Sequence, residues 1–583
     1  MSSSFFIPKE TTCIALDQQR SVNLTPPWFC QKSKYPPRSH NVIEPLINGQ
    51  RAFDAVHEAI SRAKKSVEII AWGFDPSFRL QGPGSKGERL GELLSRKAER
   101  DDVEIRILVW KDTISNFIEN NIIGDGLLGS GGGTGLGSGV GGLGSGSGGR
   151  SSSNKEEFNG YGSALGNSAA VKQFDKEAKD FNRDWFRYQP PKLDFRTRNF
   201  STSDRLKNEI GQYAQYGLKD LSRTILVCDF PSHHQKMVMV DYESPDDAVG
   251  FVMGHNLLRN YWDTDEHAYF STMRLGFAPW HDLSSRVYGP VLFDLNENFT
   301  TAWKKETGGA AKVFARPERD LIKPDVFIAP AMRRGKPVMA QICRTQPQEG
   351  DQSIRDIYKL ALANARQYVY FENQYFRYKE FALHMRAMRK QLKQGGWKRD
   401  LYVFVVTNTP DDHGRMNTYE MMKAFGKTAS MPAIHRKEDP KNKDGNDTVR
   451  KLDLEGVNIH VCTLSSWGQT PAGVKYKEIY VHSKLLLVDD VFFTVGSANV
   501  NLRSMETDSE LNIASPAPEI AKQWREHLWR NHTGRAAGDN MAQEFKDWGK
   551  IMKLNAEQKR RKLPLSAPLL EFFDDSASGG WTD

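Results

Sequence analysis

The chain has 583 residues, which is too long for one ordinary domain and leaves room for two or three domains with apolar cores. Its charged fraction of 26% and hydrophobic fraction of 39% are typical of a globular protein and exclude a disordered or fibrous chain. The formal net charge of +8 is a mild excess, which suits an anionic substrate or surface without requiring nucleic acid.

The cysteines and the apolar runs exclude several further classes. Five scattered cysteines without C-x-x-C spacing predict neither a disulfide framework nor a metal site, and they favour synthesis in a reducing cytosol. The start "MSSSFFIPKETT" has no basic region followed by an apolar core, so we expect no Sec signal. No run approaches ~20 apolar residues, so we expect no transmembrane helix.

The first predicted elements follow an N-terminal extension over residues 1–49. "RAFDAVHEAISRAKKSVEIIAWGF" has apolar residues at helical spacing and then a strand pattern, and "VEIRILVW" is a second strand. A glycine-serine tract between Gly124 and Gly149 predicts a flexible surface insertion at 124–153. Two more strands follow, one in "HHQKMVMVD" and one in "GFVMGHN" that ends at glycine.

The second part of the chain repeats this order of elements. Its segments are "SIRDIYKLALANARQYVYFENQYF", "LYVFVVTNT", "VHSKLLLVDD" and "FFTVGSAN". Strands that alternate with helices predict an α/β fold. We therefore expect two similar sheet-and-helix halves, over residues 50–315 and 316–533, that pack face to face about a pseudo-two-fold axis.

Residues 534–583 form a predicted C-terminal tail. Within it, "MAQEFKDWGKIMKLNAEQKRRK" predicts an amphipathic helix with Phe545, Trp548 and Met552 on one face. That face is expected to pack on the domain, and contact with a membrane surface or a partner is the alternative.

Both halves carry the same polar motif, H-x-K-x4-D, around a short apolar run. The two copies consist of His234, Lys236 and Asp241, and of His482, Lys484 and Asp489. Because successive strand side chains alternate between faces, each histidine points the same way as its lysine. If the halves meet face to face, two imidazoles and two ammonium groups converge on a spot suited to phosphate. A neutral histidine can attack phosphorus to give a phosphohistidine while the other protonates the leaving oxygen.

The paired motif resembles the HKD signature of the phospholipase D superfamily, over about Gln50 to Asn531. "VGSANVNLRSMETDSEL", "GHNLLRNYWDTDEH", "RTQPQEGDQSI", "YFENQYF" and "PWHDLSSRVYGP" are similar to segments of eukaryotic-type and bacterial phospholipase D sequences. The resemblance implies an active site at the interface of the two halves, with His234 as nucleophile and His482 as general acid. It also implies that Lys236 and Lys484 hold the phosphate, and that neither a metal nor an organic cofactor is needed.

Further residue roles follow from the same resemblance. Asn256 and Asn499 are expected to donate amide hydrogens to the phosphate. Asp263 and Glu510 match the acids that bind the far side of the histidines, with Asp508 as the alternative to Glu510. Asp241 and Asp489 belong to the catalytic motif in this resemblance, and they are expected to hold structure at the domain interface rather than to touch substrate.

Several other residues are open to two interpretations. His255 and His281 could reach the site, but a structural role is the preferred interpretation. Glu372 and Asn373 in "ENQYF" either line the pocket or support it. "NRDWFRYQPPKLDFRTR" from Asn182 mixes aromatic and basic residues, so it either grips lipid headgroups or bases or forms a solvated loop with packed rings.

The resemblance implies a phospholipase D that hydrolyses glycerophospholipid, with phosphatidylethanolamine as the expected substrate, to phosphatidic acid and the headgroup alcohol. The rivals are a cardiolipin synthase-like phosphatidyltransferase, an HKD nuclease and a degenerate relative that only binds phospholipid. A synthase usually carries membrane-spanning segments, and a nuclease usually has one motif per chain. The intact pair of motifs argues against the degenerate binder.

"HHQKMVMVD" and "RTQPQEG" also resemble bacterial phospholipase effectors exported by type VI secretion systems. This resemblance implies an antibacterial toxin that is made in the bacterial cytoplasm, leaves without a Sec signal and acts on the membrane of a target cell. An immunity protein and a component of the secretion spike are the implied partners, and no nucleic acid partner is expected.

Overall fold

The computed structural model describes residues 28–111, 169–201, 203–207, 231–308, 319, 321–411, 413–440, 454 and 456–581. The predicted glycine-serine insertion and most of the predicted N-terminal extension lie outside these ranges. Among the described residues, no helix combines the length and the apolar character needed to cross a bilayer.

Helices and strands alternate along both parts of the chain. The helices are α1 (Asn48–Arg62), α2 (Leu90–Glu99), α3 (Ala169–Arg187), α4 (Val291–Glu306), α5 (Ile328–Met332), α6 (Ser353–Asn364), α7 (Lys379–Gln394), α8 (Arg415–Ala424), α9 (Pro432–Glu438), α10 (Leu502–Glu506), α11 (Pro518–Thr533) and α12 (Met541–Arg560). The strands of the first part are β1 (Arg38–Ile47), β2 (Ser66–Ala71), β3 (Glu104–Trp110), β4 (Leu193–Arg198), β5 (Met237–Val240), β6 (Val249–Met253), β7 (Trp280–His281) and β8 (Leu283–Tyr288). Those of the second part are β9 (Val338–Gln346), β10 (Asp351–Gln352), β11 (Tyr368–Asn373), β12 (Leu401–Val406), β13 (Val457–Thr470), β14 (Gly473–Glu478), β15 (Tyr480–Val481), β16 (Lys484–Val488), β17 (Phe492–Gly496), β18 (Glu510–Ser515) and β19 (Leu569–Glu571).

The first sheet has the strand order β4-β3-β2-β5-β6-β8-β1. Strands β2, β3 and β4 are parallel, and β5 runs antiparallel to β2. All six residues of β2 are buried, which fits a sheet covered on both faces. Helix α1 covers it through Phe53, Val56 and Ile60, whose spacing places them on one helical face.

The second sheet repeats that order with β13-β12-β11-β16-β17-β18-β9. Strands β11, β12 and β13 are parallel, and the motif strand β16 runs antiparallel to β11, as β5 does to β2. The predicted α/β fold with two similar sheet-and-helix halves is confirmed at the level of strand order and direction.

One apolar core joins the two sheets. It contains Met237 and Val252 from the first half and Leu485 and Val495 from the second, all fully or almost fully buried. Strand β1 also pairs with β9, so the sheets are connected at their edges as well. Because β1 pairs with β8 too, the first sheet starts ahead of residue 50, where the sequence analysis placed its beginning.

The C-terminal tail belongs to the second half. Helix α12 buries Trp548 and Met552 in the shared core, and β19 pairs with β13. Packing of the amphipathic face on the domain is therefore the alternative that the structure confirms.

Each motif aspartate stabilises the sheet of its own half. Asp241 and Asp489 follow the motif strands with φ of +54° and +55°. The Asp241 carboxylate accepts hydrogen bonds from the backbone N–H groups of residues 64, 65 and 66, and that of Asp489 from residues 366, 367 and 368. Both aspartates therefore anchor the start of a neighbouring strand, and their expected place at the domain interface was wrong. Seven extended residues put each about 20 Å from its motif histidine, which also removes it from the catalytic set.

We expect Asp489→Ala to lower the free energy of unfolding by about 2–3 kcal/mol, because three backbone N–H groups at the start of β11 lose their acceptor. Thermal or urea unfolding measures this loss. Glu557→Gln, which removes an exposed carboxylate of α12, is the matched control and should leave the melting temperature unchanged. If Asp489→Ala loses turnover but keeps the wild-type melting temperature, Asp489 has a catalytic role and the structural interpretation is wrong.

Candidate active site

The motif histidines lie where the two halves meet, and each is bound through its main chain to the opposite half. The His234 N–H donates to the carbonyl of Ser509 at 2.8 Å. The His482 N–H donates to the carbonyl of His281 at 2.7 Å, where β15 pairs with β7. The backbone contacts are thus reciprocal, and they hold both motifs at one interface.

Each histidine ring is held by an acid of the opposite half. His234 Nδ1 lies 2.9 Å from Glu510 Oε1, and His482 Nδ1 lies 2.7 Å from Asp282 Oδ2. In both cases the acid directly follows the residue whose carbonyl binds the histidine main chain. A carboxylate at Nδ1 favours the tautomer with its proton there, which leaves the Nε2 lone pair for reaction at phosphorus.

Glycine residues allow these acids to approach. Gly254 follows β6, and a Cβ at this position would overlap Asp282 Oδ1. Gly496 ends β17, and a Cβ there would overlap the carbonyl of Leu511, next to Glu510. The glycine that ends each strand after the motif is therefore a requirement of close packing around the orienting acids.

Of the predicted orienting acids, Glu510 contacts a motif histidine and Asp263 does not. Asp263 accepts hydrogen bonds from His267, Arg274 and the backbone N–H of Trp280, so its predicted role was wrong. Asp508, the alternative to Glu510, accepts from the backbone N–H of residue 232 at 2.7 Å.

Asp282 is the acid that sequence reasoning missed. It directly precedes β8, the strand that pairs with β6, just as Glu510 begins β18, which pairs with β17. Comparing the two halves strand by strand could have found it from that shared position.

The two lysines are buried beside the histidines. Lys236 Nζ donates to the carbonyl of His234 at 2.8 Å. Lys484 Nζ donates to Gln374 Oε1 at 3.0 Å and also to the carbonyl of His482. Each ammonium group thus turns back over its own motif, which places its charge beside the imidazole.

The electrostatics couple the two motifs. Burial and the charges of Lys236 and Lys484 lower the pKa of His234 well below its ordinary value. Burial and the same two lysines lower the pKa of His482, and the charge of His234 adds to this effect. Charges from either motif therefore act on both rings, as expected for groups that surround one small site.

Burial shifts the pKa of the two orienting acids upward, whereas it shifts that of the histidines downward. Burial raises the pKa of Asp282 and of Glu510 to about 7, although the lysine charges oppose the shift. Glu510 also accepts a hydrogen bond from the Ser497 hydroxyl at 2.5 Å. A site that holds two lysines and two weakly ionised acids has an excess of positive charge, which a phosphodiester anion would compensate.

The predicted phosphate amides have different surroundings. Asn256 Nδ2 donates to the Tyr261 hydroxyl at 2.8 Å, and its Oδ1 accepts from Gly73. The Tyr261 hydroxyl lies 3.4 Å from His482 Nε2, on the reacting side of the ring. Asn499 is almost completely buried, and its Oδ1 has no hydrogen-bond partner in the described part of the chain. That both amides bind phosphate stays a prediction, and Tyr261 is a neighbour of the site that the sequence did not single out.

The remaining candidates have supporting positions. His255 Nδ1 lies 2.7 Å from the Ser284 hydroxyl, which fits the preferred structural interpretation. Asn373 Oδ1 accepts from the backbone N–H of Val500. In the aromatic and basic segment, Trp185 is buried while Tyr188 is 78% exposed, so its rings are partly packed.

His281, Glu372 and His532 form a buried cluster whose potential ligand atoms lie within 4.8 Å of one another. His281 Nε2 lies 2.6 Å from Glu372 Oε1, and His532 Nε2 lies 2.8 Å from Oε2. The Tyr370 hydroxyl donates to Oε2 as well. Because these donors fill both carboxylate oxygens, hydrogen bonds account for the cluster without a cation.

Comparison with known proteins gives two overlapping family matches. Residues 193–379 match the model described as phospholipase D, and residues 358–531 match the model described as cardiolipin synthase, PLD-like domain. Among curated relatives, phospholipase D alpha 1 of Carica papaya is 28% identical over 399 residues, covering 52% of this chain and 49% of the relative. Phospholipase D alpha 1 of Brassica oleracea var. capitata is 25% identical over 597 residues, covering 84% of this chain and 65% of the relative. The chain therefore spans about half to two thirds of the length of these relatives.

Among solved structures, phosphatidylserine synthase of Haemophilus influenzae Rd KW20 aligns with a TM-score of 0.41 at 12% identity, over 91% of this chain and 97% of that one. A phospholipase D family member, Nuc from Salmonella typhimurium, aligns with a TM-score of 0.21 at 17% identity, over 34% of this chain and 95% of that one. The two family matches together span residues 193–531 and support a relationship of this chain to the phospholipase D superfamily.

Proposed function

We propose that this protein is a phospholipase D, which cleaves the distal phosphoester of a glycerophospholipid to give phosphatidic acid and the headgroup alcohol. The observation that carries the proposal is the pair of histidines, each held at Nδ1 by an acid of the opposite half and flanked by a buried lysine. This arrangement leaves two Nε2 atoms for one phosphorus, which double displacement requires.

The first step forms a bond between His234 Nε2 and phosphorus and breaks the bond from phosphorus to the headgroup oxygen. His482 donates its Nε2 proton to that oxygen, so the headgroup leaves as a neutral alcohol. In the second step His482 takes a proton from water, the water oxygen bonds to phosphorus, and the phosphohistidine bond breaks. Lys236 and Lys484 balance the negative charge on the nonbridging oxygens throughout.

Substrate binding prepares the rings for these roles. In the free site burial and the lysine charges keep both histidines neutral, which suits the nucleophile His234. The phosphodiester brings a negative charge that offsets the lysines, so the pKa of His482 rises and the ring can carry the proton that it donates. An alcohol that replaces water in the second step gives phosphatidyl transfer instead of hydrolysis.

The first test is headgroup release from vesicles of phosphatidylethanolamine, phosphatidylcholine or phosphatidylglycerol, with products identified by mass spectrometry. We expect phosphatidic acid and free headgroup, with phosphatidylethanolamine the best substrate. Plasmid DNA at the same enzyme concentration should stay intact. Cleavage of DNA with intact lipids would identify a nuclease, and vesicle binding without turnover would identify a phospholipid-binding relative.

A phosphatidyltransferase is the second candidate, because the model matching residues 358–531 is described as cardiolipin synthase, PLD-like domain. The acceptor separates the two activities. A hydrolase gives phosphatidic acid from phosphatidylglycerol vesicles, whereas a transferase gives cardiolipin and releases glycerol. Cardiolipin as the main product in water would replace hydrolysis as the function.

The biological role that we propose is that of an antibacterial effector, exported by a type VI secretion system and countered by an immunity protein. The support is the resemblance of "HHQKMVMVD" and "RTQPQEG" to such effectors. Directing the protein to the periplasm of a bacterial host should stop growth and convert membrane phospholipid to phosphatidic acid, while His234→Ala should be harmless. Normal growth of a host that accumulates active enzyme there, without any protective partner, would refute this role.

A further inference from the structure

Five buried ionisable side chains form a row of hydrogen bonds across the interface of the two halves, and one of them directly precedes Asp282 in the sequence. It runs from Asp263 through His267 and His281 to Glu372 and His532, with contacts of 3.0, 3.2, 2.6 and 2.8 Å. The first three residues belong to the first half and the last two to the second. No step of the proposed reaction uses them, and burying so many charges is costly unless they are paired.

Glu372 controls the charge of this cluster. Its side chain is completely buried, and both oxygens accept hydrogen bonds from histidine and tyrosine donors. Burial opposes the charged form of His281, but the Glu372 carboxylate overrides it, so the pKa of His281 lies above its ordinary value. The raised pKa favours the protonated form of His281, which then pairs with the buried Glu372 carboxylate.

His281 contacts the main chain of His482 and directly precedes the acid that binds the His482 ring. Its carbonyl accepts the main-chain N–H of His482 at 2.7 Å, and the next residue, Asp282, holds His482 Nδ1 at 2.7 Å. Clamping the His281 ring thus fixes both the carbonyl and the carboxylate that orient His482. A displacement of that ring would move both contacts together.

At the corresponding position of the other half, the described residues form no such ion pair. There the residue ahead of the orienting acid is Ser509, whose hydroxyl contacts His233 Nδ1 at 2.7 Å. That histidine is buried, and burial with the charges of Arg198 and Lys305 lowers its pKa well below the ordinary value. Asp282 therefore follows a residue held in an ion pair, whereas Glu510 follows a residue that contacts a neutral histidine. This difference fits the different roles proposed for the two catalytic histidines.

We propose that Glu372 is a positioning residue: by clamping His281 it holds Asp282 and His482 in the geometry for proton donation to the leaving headgroup. The inference rests on the proposed function, in which His482 is the general acid. It predicts that removing the Glu372 charge impairs protonation of the leaving group and spares attack by His234.

The charge of the clamp also acts on Asp282. The His281 charge is among the influences that lower the pKa of Asp282, together with the two motif lysines. Without the Glu372 carboxylate, we expect His281 to lose its proton and the pKa of Asp282 to rise further. The titratable and charged groups that face His281 and Asp282 are Asp263, Asp265, His255, His267, Arg274, Tyr370, Glu372, His532, Lys236, His482 and Lys484.

The test compares two leaving groups on one phosphatidyl group. Glu372→Gln should lower kcat for phosphatidylethanolamine about 10²-fold with little change in KM, because ethanolamine needs a proton to leave. The burst of p-nitrophenol from phosphatidyl-p-nitrophenol should change less than about threefold, because that group leaves as the anion. The acid limb of kcat/KM should move to higher pH by about one unit, since Asp282 then binds its proton more tightly.

The matched control is Glu544→Gln, which removes another buried carboxylate of the second half. Glu544 pairs with Arg535 and has no contact with the cluster. This variant should lose stability while both leaving groups and the acid limb stay as in the wild type. Glu372→Asp, which retains the charge, should recover part of the lost ethanolamine release.

Equal slowing of both leaving groups, or an unmoved acid limb, would overturn the positioning role of Glu372. A wild-type protein that cleaves p-nitrophenyl phosphodiesters but no phospholipid would refute the proposed substrate class, while the acid limb would still decide this inference. A wild-type protein inactive on every phosphodiester would refute both. A stoichiometric metal ion that is lost in Glu372→Gln would replace the proton clamp with a metal site.

Discussion

Replacing either motif histidine by alanine is expected to lower kcat/KM for phosphatidylethanolamine by about 10⁴- to 10⁶-fold. His234→Ala removes the atom that bonds to phosphorus, and His482→Ala removes the proton donor for the headgroup and the base for the second step. Headgroup release from vesicles measures the loss. His527→Gln is the matched control, because that histidine pairs with Asp265 at a partly exposed position and should keep full activity.

The two replacements should differ when the leaving group needs no proton. With phosphatidyl-p-nitrophenol, His482→Ala should release one equivalent of p-nitrophenol rapidly and then stall as an acid-labile phosphohistidine at His234. His234→Ala should give neither a burst nor a covalent adduct. A burst from His234→Ala instead would exchange the two roles, and more than about 1% residual turnover in either variant would end the two-histidine mechanism.

The repeated pattern was enough to predict the α/β fold and the similar succession of helices and strands in the two halves, whereas the order of strands within each sheet was not predicted. That both histidines act on one phosphate stays a prediction. The signal was local: a short apolar run such as "LLLV" between polar ends predicts a buried strand, and alternation then places His482 and Lys484 on one side of it. Duplication of the pattern added the expectation that the two halves pack face to face, because both histidines can then reach one phosphate.

The partner acids could not be predicted in the same way, because they lie far away in the chain. His234 is separated from Glu510 by 276 residues, and His482 from Asp282 by 200. No local periodicity in the sequence indicates such a contact. The family resemblance suggested Asp263, but this acid forms a salt bridge with Arg274. Similarly, Asp241 and Asp489 belong to the repeated motif, but a strand separates each of them from its histidine. Their carboxylates bind backbone N–H groups instead.

Asp282→Asn and Glu510→Gln are expected to lower turnover about 10³- to 10⁴-fold while making the folded protein more stable at pH 8. An amide at Nδ1 can donate a hydrogen bond and so favours the wrong tautomer of the ring, which hides the Nε2 lone pair. The stability gain has a separate cause: the amide is neutral, and burial disfavours the ionised carboxylate that it replaces.

The direction of the pH dependence follows from the raised pKa values. Asp282 and Glu510 have a pKa of about 7 in the folded state, above the value of about 4 that carboxyl groups have in an unfolded chain. Between these values the folded state holds protons that the unfolded state has lost, so stability falls as pH rises. The amide variants lack this titration, so each should be more stable than the wild type above pH 7 by on the order of 4 kcal/mol, and the difference should vanish near pH 4.

Thermal unfolding between pH 4 and pH 8 measures the effect, and Asp265→Asn provides a control of opposite sign. The contacts of Asp265 with His527, Asn48 and Arg51 outweigh its burial and lower its pKa. Its ionised form therefore stabilises the folded state above pH 4, and its amide variant should be less stable at pH 8. Asp282→Asn and Glu510→Gln could instead also lose stability at pH 8. In that case the interactions of the two carboxylates with the histidines and lysines stabilise the folded protein by more than their burial destabilises it. The site would then be an ordinary ion-pair network rather than one held under electrostatic strain for the phosphate.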